Sequence, residues 1–201
     1  MDKIFISKMA DSNHIVNFIR FYEGKLSKNP NDTASANPVP DGSGFHTSSG
    51  ITWKVWSSVY GVGTDSIARF YAMNNADWLS IFKPLYWDAA LGDLINSQRI
   101  ADLLTDAIWA SGKHNIEVRA QHLLNTEFHE HLSEDGNFGP ASIKAINSAD
   151  EETLYNDIIA NRMTFLDQIV AANPNDAGFL KGWQNRINSL VRFEATGVIS
   201  W

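Results

Sequence analysis

Glu23 closes the run Phe21-Tyr22-Glu23-Gly24, where an apolar-striped segment gives way to a long polar one. A carboxylate at that position would be flanked by aromatic rings and by the negative end of a helix dipole, and both disfavour its charged form. A glutamate held protonated in this way is suited to donate a proton to a glycosidic oxygen. Such chemistry needs a second group across the scissile bond, either to face an oxocarbenium-like centre or to activate water. Asp32 and Asp41 are the acidic residues between Glu23 and the segment Gly44-Phe45-His46-Thr47-Ser48-Ser49-Gly50-Ile51-Thr52. A hydroxyl such as that of Thr47 can hold the water. The plainer assignment makes Glu23 a solvated helix-end residue, with Asn31-Asp32 and Asp41-Gly42 as turn formers.

The surrounding elements must place these groups. Ile15, Phe18, Ile19 and Tyr22 recur at i, i+3, i+4 and i+7 behind Asp11 and Ser12, which predicts a helix ending near Glu23 and stopped by Gly24. From Lys25 to Gly50 the periodicity vanishes among Asn, Pro, Asp and Gly, which predicts a loop with a short hairpin near its end. Irregular stretches of that length inside compact domains are usually functional. Ile51 to Tyr60 is expected to begin as a strand and continue as a helix.

Helices return after Thr64. One is expected over Asp77–Tyr86, interrupted by Pro84. A second, over Gln98–Ala110, carries Ile100, Leu103, Leu104, Ala107 and Ile108 on one face. Ile116, Ala120, Leu123 and Leu124 mark a third, and Pro140 opens a short fourth. Ser148-Ala-Asp-Glu151 reads as a capping box for a long helix, and Phe179, Trp183, Ile187, Leu190 and Val191 stripe the last. The fold class is therefore mainly α, a helical bundle with a small irregular or β lobe near the N-terminus.

The chain has 201 residues, 44% of them apolar and 19% charged, enough for one large domain or two small ones. The absence of cysteine removes disulfides, cysteine-ligated zinc, iron–sulfur clusters and thiol catalysis together. Apolar runs are too short to span a bilayer, so no membrane insertion is expected. A net charge of −7 argues against a nucleic-acid partner. His129 and His131, flanked by Glu127 and Glu130, suit a solvated connector better than zinc, which would want a third ligand. Asp135-Gly-Asn-Phe-Gly-Pro140 lacks the calcium-loop ladder and reads as a turn into a helix. No metal or cofactor is expected. Trp53, Trp56, Trp87, Trp109 and Trp183 could stack on sugar rings, but core packing is the stronger expectation, above all for Trp109 and Trp183.

Taken together, Phe21-Tyr-Glu-Gly-Lys25, His46-Thr-Ser-Ser-Gly-Ile-Thr-Trp-Lys-Val-Trp56 and Pro84-Leu-Tyr-Trp-Asp88 resemble the N-terminal half of glycoside hydrolase family 108. These are lysozyme-like N-acetylmuramidases with the hallmark E-G-G-Y followed by D-x-G-G-x-T-x-x-G-I-T. The second half is similar to the peptidoglycan-binding region that accompanies them, over 104–125, 134–147 and 179–190. The resemblance implies a lysozyme-like α+β fold, with residues 1–92 as the hydrolase region and 93–201 as a helical peptidoglycan-binding region packed with it as one compact unit.

It also implies cleavage of the β-1,4 bond between N-acetylmuramic acid and N-acetylglucosamine, with Glu23 as the acid and Thr47 on the family's threonine. Here the motif reads E-G-K-L, which brings Lys25 close to the acid, and the following loop is longer than the family's. Counting from Glu23 points to Asp32 as the second carboxylate. Counting back from Thr47 points to Asp41, which is favoured because the Gly-rich turn travels with it. His46, Thr52, Trp53 and Tyr22 are the expected substrate contacts. The expected partner is peptidoglycan glycan, met by a monomer made in a bacterial cytoplasm and acting after release or export. A non-catalytic peptidoglycan binder and a lytic transglycosylase are the alternatives.

Overall fold

A computed structural model of the chain describes residues 9–200. In chain order, the described residues form α1 (Ser12–Tyr22), β1 (Thr47–Ser48), β2 (Ile51–Thr52), α2 (Trp53–Tyr60), α3 (Thr64–Tyr71), α4 (Asn75–Phe82), α5 (Gln98–Ser111), α6 (Lys113–Glu127), α7 (Pro140–Ser148), α8 (Glu151–Ala172) and α9 (Ala177–Thr196). The mainly α class and the small β lobe expected from the sequence are both present. No helix among the described residues is long and apolar enough to cross a membrane.

The chain divides into two compact units. One holds the described residues up to Phe18 together with Tyr86 onward, and the other holds Ile19–Leu85. Helix α1 contributes its first turns to one unit and its last turn to the other.

In the larger unit α5 is the central element, with α6 and α8 packed on it and α9 on α8. The sequence assigned α5 one apolar face. The structure buries every residue from Ile100 to Ile108, Asp102, Thr105 and Asp106 included. A helix enclosed on all sides must neutralise its polar groups internally. Asp106, with no exposed surface, does so with Arg162 at 2.8 Å from α8 and Arg186 at 2.9 Å from α9.

Pro140 occupies the first turn of α7 as expected. The capping box read at Ser148–Glu151 does not form, because Ser148 is the last residue of α7. Asp150 caps α8 instead, accepting from Thr153 N at 3.0 Å. The Asp135–Pro140 turn is held by buried α6 side chains: Gln121 Oε1 accepts from Gly136 N, and Glu117 Oε2 from Phe138 N. Trp109 and Trp183 are half-buried, whereas Trp56, Trp78 and Trp87 have no exposed surface.

In the smaller unit, β1 and β2 pair antiparallel with Ser48 opposite Ile51, leaving Ser49-Gly50 as a two-residue turn. Both turn residues have positive φ, 49° and 79°, the mirror-image turn that suits the twist of a tight hairpin. Thr52 then ends the strand and starts α2 by accepting from Val55 N through Oγ1. That one residue explains how a strand becomes a helix without a linker. After α4 the chain widens into a π-helical turn over Lys83–Trp87, which passes Pro84 where the sequence predicted an interruption.

Candidate active site

All the site residues drawn from the sequence lie in the smaller unit. Glu23 is the first residue beyond α1, half-buried, and its N–H still donates to Ile19 O at 3.2 Å. The helix thus sets its direction although its carboxylate stands at the entrance to the loop. Tyr22 is half-buried, with its ring edge-on to Phe21 at 5.3 Å, and Lys25 is exposed.

Two ties link the end of α1 to the hairpin. Four residues after Glu23, Ser27 forms an antiparallel bridge with Thr47, its N–H donating to Thr47 O at 2.9 Å. In addition, the Trp78 indole lies under the Arg20 guanidinium at 5.0 Å, and its Nε1 donates to Ser49 O at 3.0 Å. Arg20 is in the last turn of α1 and Ser49 in the hairpin turn. The positions of Glu23 and Thr47 are therefore coupled through backbone pairing and through a fully buried tryptophan.

Thr47 Oγ1 is buried and has no hydrogen-bond partner among the described residues. A hydroxyl without a partner is costly in a closed site and useful where a water or substrate atom is to be held. Thr52, opposite Thr47 in the pair, has its hydroxyl committed to capping α2.

The two candidate carboxylates occupy different surroundings. Asp32 caps a short 3-10 turn at Thr33–Ala36 by accepting from Ala34 N at 2.9 Å, and its other oxygen lies 3.9 Å from His46 Nε2. His46 is 1% exposed, and its backbone is paired on both sides, donating to Ser27 O and accepting from Trp53 N. Trp53 is 5% exposed and stands edge-on to Phe70 at 5.3 Å. Among the residues expected to contact substrate, His46 and Trp53 are thus walls of the lobe, and Thr52 is a helix cap. Tyr22 and Thr52 are both half-buried.

Asp41 is exposed on the turn that carries Gly42 and Gly44, both at positive φ (80° and 73°). These are the glycines whose freedom lets the turn reverse. Its Oδ1 accepts from Ser43 N at 2.9 Å, and its Oδ2 from the Tyr71 hydroxyl at 2.6 Å. Tyr71 and Ser43 oxygens are themselves 2.7 Å apart. The Tyr71 hydrogen bond, aided by the Ser43 amide, holds the Asp41 carboxyl below its ordinary value. Burial and the same Asp41 contact push the Tyr71 phenol up. Asp41 is therefore an oriented, ionised carboxylate, suited to face positive charge. Sequence reasoning missed Tyr71 and Ser43, since nothing in a tyrosine on the stripe of α3 announces a partner thirty positions earlier.

Elsewhere, His129 and His131 are exposed, in keeping with the solvated reading. The ionised Asp41 carboxylate is of a type suited to face positive charge, and the Thr47 hydroxyl is of a type suited to hold a water.

Comparison with known proteins gives this arrangement a context. Residues 16–112 match the family model for Glycosyl hydrolase 108, and residues 117–188 match that for the Predicted Peptidoglycan domain. No curated protein matches the chain in sequence. Among solved structures, the one titled "Structure of Brucella abortus SagA" superposes with a TM-score of 0.69 over 92% of this chain and 94% of that one. At 19% identity, this likeness establishes the shared fold. Glu23, Asp32, Asp41 and Thr47 all fall in the first matched region, so the part of the chain that holds them is similar to Glycosyl hydrolase 108 and the part that follows is similar to the Predicted Peptidoglycan domain.

Proposed function

We propose that the protein is a lysozyme-type muramidase that cleaves the β-1,4 bond between N-acetylmuramic acid and N-acetylglucosamine. The observation that carries this reading is the coupling of Glu23 to Thr47 through the Ser27–Thr47 bridge, inside the region that matches Glycosyl hydrolase 108.

Glu23 donates its proton to the glycosidic oxygen as the bond from that oxygen to the muramic C1 breaks. Electron density moves from the ring oxygen toward C1, and the Asp41 carboxylate faces the developing positive charge. A water held by Thr47 Oγ1 supplies the new C1–O bond. If it attacks directly, its proton passes to Asp41 and the configuration inverts. If Asp41 bonds to C1 first, Glu23 later takes the water's proton and the configuration is retained. The Tyr71 and Ser43 hydrogen bonds keep Asp41 ionised in either course. The peptidoglycan domain is proposed to hold the polymer, and access to the wall is proposed to follow release or export.

Turbidity loss of purified cell walls, with mass spectrometry of the released fragments, tests the assignment. Reducing N-acetylmuramic ends support it. Anhydro ends would make the protein a lytic transglycosylase, and the absence of release would make it a binder.

A further inference from the structure

Away from the candidate active site, three ligand-type side chains converge inside the larger unit. We propose that His14, Asp102 and Glu194 bind a divalent cation of the zinc type, which fastens α1, α5 and α9 together.

His14 Nδ1 lies 2.5 Å from Asp102 Oδ2 and 3.8 Å from Glu194 Oε1, and one ligand atom from each residue falls within 4.8 Å of the others. The Asp102 side chain is fully buried and that of Glu194 is 7% exposed. Glu194 Oε1 is buried without a hydrogen-bond partner among the described residues. Asp102 has its remaining oxygen committed, Oδ1 accepting from Gln98 Nε2 at 2.9 Å, and Gln98 is itself fixed by the Asp11 backbone. Such outer hydrogen bonds orient a ligating carboxylate. Phe193 covers the His14 ring at 4.7 Å.

Two carboxylates brought together in a site this dry must either share a proton or be balanced by positive charge, and His14, even when protonated, balances one of them. Arg99 is engaged by Glu151 at 2.6 Å and by Glu152 at 2.8 Å. A divalent ion neutralises both carboxylates and takes the unpartnered Glu194 oxygen. One nitrogen and two oxygens form a donor set for borderline ions, zinc before calcium. Bonds of about 2.0–2.2 Å would place neighbouring ligand atoms roughly 3.3–3.6 Å apart. The His14–Glu194 separation is close to that, and the His14–Asp102 pair must open by about an ångström as the ion replaces their shared hydrogen. The His14 side chain, 39% exposed, has room to swing and gives the ion a way in.

The full chain, stripped with chelator and titrated with zinc chloride, provides the test by calorimetry and thermal melting. A saturable site is expected, with the Tm raised by several degrees at about 100-fold over Kd. His14→Ala and the isosteric Glu194→Gln should each remove that rise and one equivalent of zinc. The double substitution His129→Ala with His131→Ala should leave both intact, which separates this site from surface histidines. If His14→Ala does not fold, Glu194→Gln decides. No Tm rise in the wild type would overturn the proposal and leave a proton on Glu194 as the balancing charge. An equal rise in the folded variants would overturn it as well.

Discussion

The Tyr71 hydroxyl donates to Asp41 Oδ2 across 2.6 Å, joining a helix to a loop thirty residues earlier in the chain. It is the foremost cause of the depressed Asp41 pKa. Tyr71→Phe should therefore raise that pKa and move the acid limb of the kcat/KM profile upward, with activity near neutral pH less affected. An acid limb that stays in place would assign it to another group.

Asp41 and Asp32 separate by the same reasoning. Asp41→Asn is expected to lose about a hundredfold or more in turnover, while Asp32→Asn loses much less and weakens the 3-10 turn that Asp32 caps. Steady-state rates on cell walls, with Tm as the control, distinguish them. The reverse order would move the role to Asp32, and mild losses in both would leave Glu23 working without a paired carboxylate.

Glu23→Gln should retain the fold and cell-wall binding while reducing turnover at least about a hundredfold, the lower range for a general acid. Retention of more than about a tenth of the rate would remove Glu23 from this role. A collapse in Tm would instead mark it as a structural helix-end residue.

Asp106 provides a stability prediction. Burial pushes its carboxyl up, but Arg186 and Arg162 outweigh that, and its pKa lies below the ordinary value. A depressed folded pKa means that its contribution is complete above the unfolded value, about 4, and is lost as pH falls through the folded one. Asp106→Asn leaves two buried guanidiniums short of charge and should cost about 3–5 kcal/mol. Urea unfolding at pH 7 and at acid pH checks both statements, since the difference between wild type and variant should shrink in acid.

Cutting the chain after residue 92 removes α5 and α9. Those helices supply Asp102 to His14 and Phe193 to Phe18, at 5.6 Å between rings. Ile15 and Phe18 have no exposed surface in the full chain. A fragment of residues 1–92 is therefore expected to be insoluble or inactive, by soluble yield and wall turbidity. A soluble, active fragment would show that the second half is an independent binding module.

Much of this arrangement is readable from local pattern. The spacing of Ile15, Phe18, Ile19 and Tyr22 defines α1, Gly24 marks its stop, and Pro140 marks the start of α7, because each depends on neighbours within a turn or two. Asp150 displaced the expected Ser148 cap because α7 runs two residues past Ile146, the end of its apolar stripe, and takes in Ser148. The burial of α5 on every side was hidden, since Asp102 and Asp106 look like a solvated face until His14, Arg162 and Arg186 arrive from distant helices. In the site, residue types at Glu23 and Thr47 were legible. The Tyr71 contact and the enclosure of His46 and Trp53 are tertiary, and no periodicity reports them.

The Ser27–Thr47 bridge closes the segment between them into a ring with a fixed neck. Closing a flexible ring costs only about 0.6 kcal/mol more for each doubling of its length, so its circumference is nearly free to vary. Residues can be added at the exposed Asn37-Pro38 tip without disturbing the neck. The ring is thus a natural graft point, where a new segment can be hung beside the proposed catalytic groups while Glu23 and Thr47 keep their register.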